Sequence, residues 1–145
     1  MSEKLTRREI REGTFLLLFQ NELSGTAPAE LAEACEEAYE MTVKQEMIKV
    51  ADAVIAKYDE LDGIISQFSK TREINRIPAV NKTILRLALY EIKYSDKIPP
   101  KGAVNEAVEL SKKYAEKRDS GFINGVLGNY IRKAEEDGDI GKNTG

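Results

Sequence analysis

"AVNKTILRLALYEIKY", residues 79–94, decides what kind of fold this chain can adopt. Val80, Ile84, Leu87, Ala88 and Ile92 recur every three to four residues, so on a helix they share one face. The alternation of period two that marks a half-buried strand is missing. Pro78 stands before the stretch, and the stiff loop Lys97-Ile98-Pro99-Pro100 follows it. A helix over 79–94 is therefore expected, with its apolar stripe turned to a core.

The same periodicity extends in both directions. Toward the C-terminus, Val104, Ala107, Val108 and Tyr114 mark a helix over about 101–117, and a further helix ends near 136. Toward the N-terminus, four helices are expected at about 6–23, 28–40, 42–57 and 59–68, with 69–77 as a connector. Thr6-Arg7-Arg8-Glu9 opens the first as a capping box, hydroxyl to the third amide and carboxylate back to the cap. Ser24-Gly25 closes it, Pro28 suits the first turn of the second, and Thr42 is the expected cap of the third. The chain thus reads as all-α with seven helices. It is expected to form one domain over 1–136, followed by a disordered tail, 137–145.

Composition excludes several kinds of chemistry. The chain has 145 residues, no histidine, no tryptophan and a single cysteine, Cys35. Neither a Cys/His metal site nor a Ser-His-Asp or Cys-His nucleophile can be assembled from this set, so neither an enzyme nor a cofactor is expected. No run of eighteen apolar residues is present, and the charged start MSEKLTRREIREG lacks the apolar core of a secretory signal. A cytoplasmic protein is expected.

The net charge of −3 conceals an asymmetry. Residues 22–62 carry 11 acidic and 3 basic side chains, whereas residues 63–133 carry 14 basic and 7 acidic. A basic flank for a polyanion is compatible with that distribution, because local potential governs encounter.

Four motifs invite a functional reading. Arg7, Arg8 and Arg11 share about a third of the first helix's circumference at its positive end, where cations are disfavoured by ~0.3–1 kcal/mol unless an anion joins them; read alone, the motif is better taken as an ordinary solvated face. "FLLLF", residues 15–19, is apolar all round the helix, so it belongs to a core, with Phe19 at the rim as a candidate partner contact. Arg86 shares a face with Leu89 and Tyr90, which points to a structural ion pair with Glu106 or Glu109 of the next helix. In "SGFINGVLGNYIRK", 120–133, Gly121, Gly125 and Gly128 lie on one helical face. Each glycine costs ~1 kcal/mol relative to alanine, so either another backbone packs there or a non-protein ligand needs the space.

Taken in order, the arginine-rich start, LRLALYEI, AVNEAVELSKKY and FINGVL resemble the NusB family of bacterial transcription factors over nearly the whole chain. The resemblance implies two helical subdomains of three or four helices and no catalysis. It implies pairing with NusE, a ribosomal protein, on the single-stranded boxA element of nascent RNA, within an RNA polymerase antitermination complex that supports transcription of ribosomal RNA operons. Carried over by residue, the RNA contacts fall on Arg7, Arg8, Arg11, Phe122, Asn124 and Gly125. Asn81 stands near the surface offered to NusE. The family commonly has a basic residue where Gly121 stands. Two other occupations remain open for such a fold: the RNA module of a ribosomal RNA cytosine methyltransferase, or a helical homodimer scaffold.

Overall fold

A computed structural model describes residues 4–140, and within them seven α-helices and one short 3-10 turn account for the regular structure. The chain divides into two compact units at Ala56/Lys57. The first holds α1 (Arg7–Ser24), α2 (Pro28–Tyr39) and α3 (Gln45–Ala56). The second holds α4 (Tyr58–Phe68), the 3-10 turn Ile74–Arg76, α5 (Ala79–Tyr94), α6 (Pro100–Tyr114) and α7 (Asp119–Glu136).

In the first unit, α1 begins as its sequence dictates. The Thr6 hydroxyl accepts from the Glu9 amide at 3.0 Å, and the Glu9 carboxylate accepts from the Thr6 amide at 2.8 Å. Gly25, at φ +75°, closes the helix and donates to the Asn21 carbonyl. Phe15, Leu16, Leu17 and Leu18 are all buried. Phe19 is half-buried, its ring stacked on Phe15 at 6.0 Å, so the rim position expected of it is the one it takes.

The start of α3 differs from expectation. Thr42 does not cap it, and the helix begins three residues later. The Glu36 carboxylate accepts from the Val43 amide at 2.8 Å, which spends that donor outside the helix. β-Branched Val43 then belongs to the connection rather than to the first turn.

Close packing of α1 on α3 passes through Gly13. A Cβ built there would lie 2.5 Å from the Met47 sulfur and 3.0 Å from the Met41 methyl. Met47 is itself buried. Gly13→Ala forces only these flexible ends to move, while Gly13→Val adds branching the site has no room for. Urea titration should show Gly13→Val destabilised by about 1–3 kcal/mol, the usual penalty of overpacking. An unchanged midpoint would mean the methionines relocate freely.

In the second unit, α5 is the central element. Ile84, Leu85, Leu87, Ala88, Leu89 and Ile92 are all buried, and it contacts α4, α6 and α7. The α6–α7 pair is pinned by Ser111 Oγ and Ser120 Oγ, 2.8 Å apart. α6 ends at Tyr114, three residues before the expected 117. Residues 137–140, assigned from sequence to the tail, form the turn that closes α7. Asp139 there donates its amide to the Ala134 carbonyl at 2.8 Å. The remainder of that tail, 141–145, lies outside the described residues.

Arg86 is buried and paired, as its apolar face required, but the carboxylate seated on it is Asp62 of α4. Nε reaches Oδ1 at 2.7 Å and Nη2 reaches Oδ2 at 2.8 Å. Its guanidinium also lies 3.8 Å from the centre of the Tyr58 ring. The sequence pointed to Glu106 or Glu109 and did not include Asp62. Glu109 interacts with Lys112 on its own helix at 3.3 Å. α4 therefore supplies both the counter-ion and the aromatic face.

Candidate nucleic-acid interface

The three N-terminal arginines occupy the first two turns of α1. Arg7 is mostly exposed and forms an ion pair with Glu46 of α3. Arg8 is exposed and Arg11 half-buried. The capping box already uses the amides of Thr6 and Glu9. An anion approaching here meets the guanidinium groups, and bidentate geometry favours a phosphate.

The second group lies on α7. At 100° per residue, Asn124 projects roughly 160° away from Phe122, so the two do not share a face. Phe122 is half-buried and turned toward the connector after α4, where the Arg72 guanidinium covers its ring at 4.6 Å. Arg72 is tied in turn to Asp119, Nη2 to Oδ1 at 3.5 Å, and that carboxylate is almost wholly buried in the first turn of α7. A carboxylate there also complements the helix dipole. Sequence reasoning placed Arg72 in an undistinguished connector. Its only signal was a basic residue in a short polar run, which does not reveal what it lies on.

Asn124 and Gly125 instead line an open groove of about 500 Å³ between α6 and α7, together with Lys101, Asn105, Gly128 and Arg132. Both asparagines and Gly125 present polar edges or open backbone. The glycines do not serve helix packing: a Cβ on Gly121 or Gly125 would meet nothing within 4 Å. The alternative of a close backbone approach is thereby corrected, since the space beside them is open. Gly125→Ala should raise stability by about 0.5–1 kcal/mol through helix propensity, measured by thermal melting. A loss of stability would reveal a packing role.

Asn81 does not sit at a surface. It is fully buried in the first turn of α5, and among the described residues neither of its side-chain amide atoms has a hydrogen-bond partner. A partner contact through this side chain is not available in this conformation. Cys35 is also buried, and desolvation raises its thiol above the usual range, which keeps it protonated and unreactive. Among the described residues no group of three or more His, Cys, Asp or Glu side chains could hold a metal ion. No described helix is long and apolar enough to cross a membrane.

Fold and site together define an all-helical binding module with basic side chains displayed at helix ends. The chain belongs to the NusB family, whose family model matches residues 8–132. It is 36% identical over 134 residues to the transcription antitermination protein NusB of Pelotomaculum thermopropionicum, covering 91% of this chain and 93% of that one. The NusB of Agathobacter rectalis is 39% identical over 132 residues, covering 87% and 99%. Among solved structures, T. maritima NusB superposes with a TM-score of 0.79 at 27% identity, covering 95% of this chain and 100% of that one. A structure of antitermination factors NusB and NusE in complex with dsRNA gives 0.74 at 29% identity, covering 88% and 96%.

Proposed function

We propose that this chain is a transcription antitermination factor that binds boxA-type RNA in partnership with NusE and so supports transcription of ribosomal RNA operons. It acts in the cytoplasm and performs no catalysis. The names of its relatives support the role, as does the similarity to a structure of antitermination factors NusB and NusE in complex with dsRNA. The observation that carries it to particular residues is the arginine trio on the first two turns of α1, at the end where the helix field disfavours cations. Arg7, Arg8 and Arg11 of the first unit contact phosphates, and Phe122, Asn124 and Gly125 of the second contact the strand.

Salt dependence tests the arginines directly. Each phosphate contact with a single strand contributes ~0.7 to the slope of log K against log salt. Replacing all three arginines with alanine should flatten the slope by about 2, measured with a labelled single-stranded boxA RNA. Unchanged affinity and slope would remove these residues from the interface. A duplex of the same sequence, run in parallel, shows which form of RNA the chain prefers.

A further inference from the structure

The connector between α4 and α5 forms a second groove, of about 560 Å³, lined by Ser66, Ser69, Lys70, Thr71, Arg72 and Asn75 among others. Its backbone is held in place: Ser69 Oγ donates to the Arg72 carbonyl at 2.7 Å, and the Ser69 amide donates to the Ile65 carbonyl at 2.8 Å. Arg72 belongs both to this groove and to the Phe122 ring. About a third of its side chain is exposed, so it is neither sealed in a core nor a fully solvated cation. A guanidinium carries five N–H donors, and the contact with Asp119 involves only Nη2.

Two properties of arginine meet here. Its plane stacks on aromatic rings and on unpaired bases, and its remaining donors match a phosphate in bidentate fashion. Lys70, exposed and lining the same groove, adds a second cation a short way along the connector. The groove mixes polar and apolar surface and offers hydroxyls from exposed Ser66 and Thr71. Two cations, Lys70 and Arg72, against the single carboxylate of Glu73, with a guanidinium seated over the Phe122 ring, fit one ligand chemistry best, a single-stranded polynucleotide.

We infer that the groove along residues 69–75 carries a stretch of the RNA strand, with Arg72 as its anchor: stacked on Phe122, it bonds a phosphate while Lys70 neutralises a neighbouring one. Asp119 is the positioning residue, since its buried carboxylate holds the guanidinium on the ring. This rests on the RNA-binding reading above and adds to it a contact surface outside the arginine-rich helix start and the FINGVL motif.

The test is fluorescence titration of a labelled single-stranded boxA RNA with the full chain at several salt concentrations. Arg72→Gln should weaken binding roughly tenfold or more, as expected for one lost charge-assisted contact, and lower the salt slope by ~0.7. Arg72→Lys keeps the charge and the slope but loses the flat stack, so its affinity should fall between those of Arg72→Gln and the wild type. Because Arg72→Gln also releases Asp119, Lys70→Ala serves as the variant that leaves the fold untouched. It should melt like the wild type and still lose ~0.7 of slope. Wild-type affinity and slope in both Arg72→Gln and Lys70→Ala, with the parent chain binding normally, would overturn the inference alone. A parent chain that binds no single-stranded RNA would overturn the RNA-binding reading, and this inference with it.

Discussion

Asp62→Ala is expected to destabilise the chain by about 3–5 kcal/mol, the cost of stripping the partner from a buried charge. For a chain of this size that corresponds to a melting temperature lower by roughly 10–20 °C. Arg86 is only 5% exposed, and Asp62 takes two of its donors at 2.7 and 2.8 Å. The Tyr58 ring does not replace that carboxylate: a ring attracts a cation by ~0.5–2 kcal/mol and accepts neither of those two hydrogen bonds in the same way. The pair itself need not be stabilising relative to an apolar one. The double variant Arg86→Met with Asp62→Leu should therefore recover most of the loss, because nothing charged is left buried. A single variant that melts within a few degrees of the parent would show that water reaches the guanidinium once Asp62 is gone. Failure of the double variant to recover would instead assign the pair a role in fixing how α4 lies against α5.

That pair also shows where sequence reasoning reaches its limit. The face of α5 on which Arg86 stands was legible, because apolar spacing alone defines it. The identity of its partner was not. Asp62 precedes it by 24 positions on another helix, and periodicity says which way a residue points without saying which helix lies opposite. The same division runs through the rest of the chain. Thr6, Gly25 and Pro28 were readable because caps and first turns are local chemistry. Thr42 had the right chemistry but lost its place to a long-range hydrogen bond from the Val43 amide to Glu36.

In the candidate interface, the glycines of α7 announced themselves as unusual, and their spacing correctly put them on one face. Only the structure shows that the space beside Gly121 and Gly125 is open. Arg72 was invisible for the opposite reason. Nothing in "SKTREINR" distinguishes a cation that stacks on Phe122 from one that merely faces water. Asn81 combines both limits: its position on α5 was evident, while its complete burial contradicts the surface contact that resemblance implied.

The second large effect expected is cooperative assembly with NusE. If the chain and NusE each contact the same RNA strand, the two proteins together should bind boxA RNA about 5–150-fold more tightly than this chain alone, a typical coupling of ~1–3 kcal/mol. Linkage makes this reciprocal, so RNA must strengthen the contact between the proteins by the same factor. Measuring both sides of the cycle therefore provides an internal check that no single titration offers. Asn81, fully buried, does not supply the protein contact in this conformation, and half-buried Phe19 is the other residue proposed for it. Phe19→Ala should weaken NusE binding and leave the RNA affinity of the isolated chain unchanged, since the ring carries no charge and lies outside the proposed RNA residues. A scaffold whose self-association hides the arginines behaves in the opposite way. There RNA competes with the homodimer, and its apparent affinity falls as protein concentration rises. Equal RNA affinity with and without NusE, together with RNA-induced dissociation of a homodimer, would sink the antitermination reading, because the coupling between partner and nucleic acid is what would allow a small chain to act only where both are present.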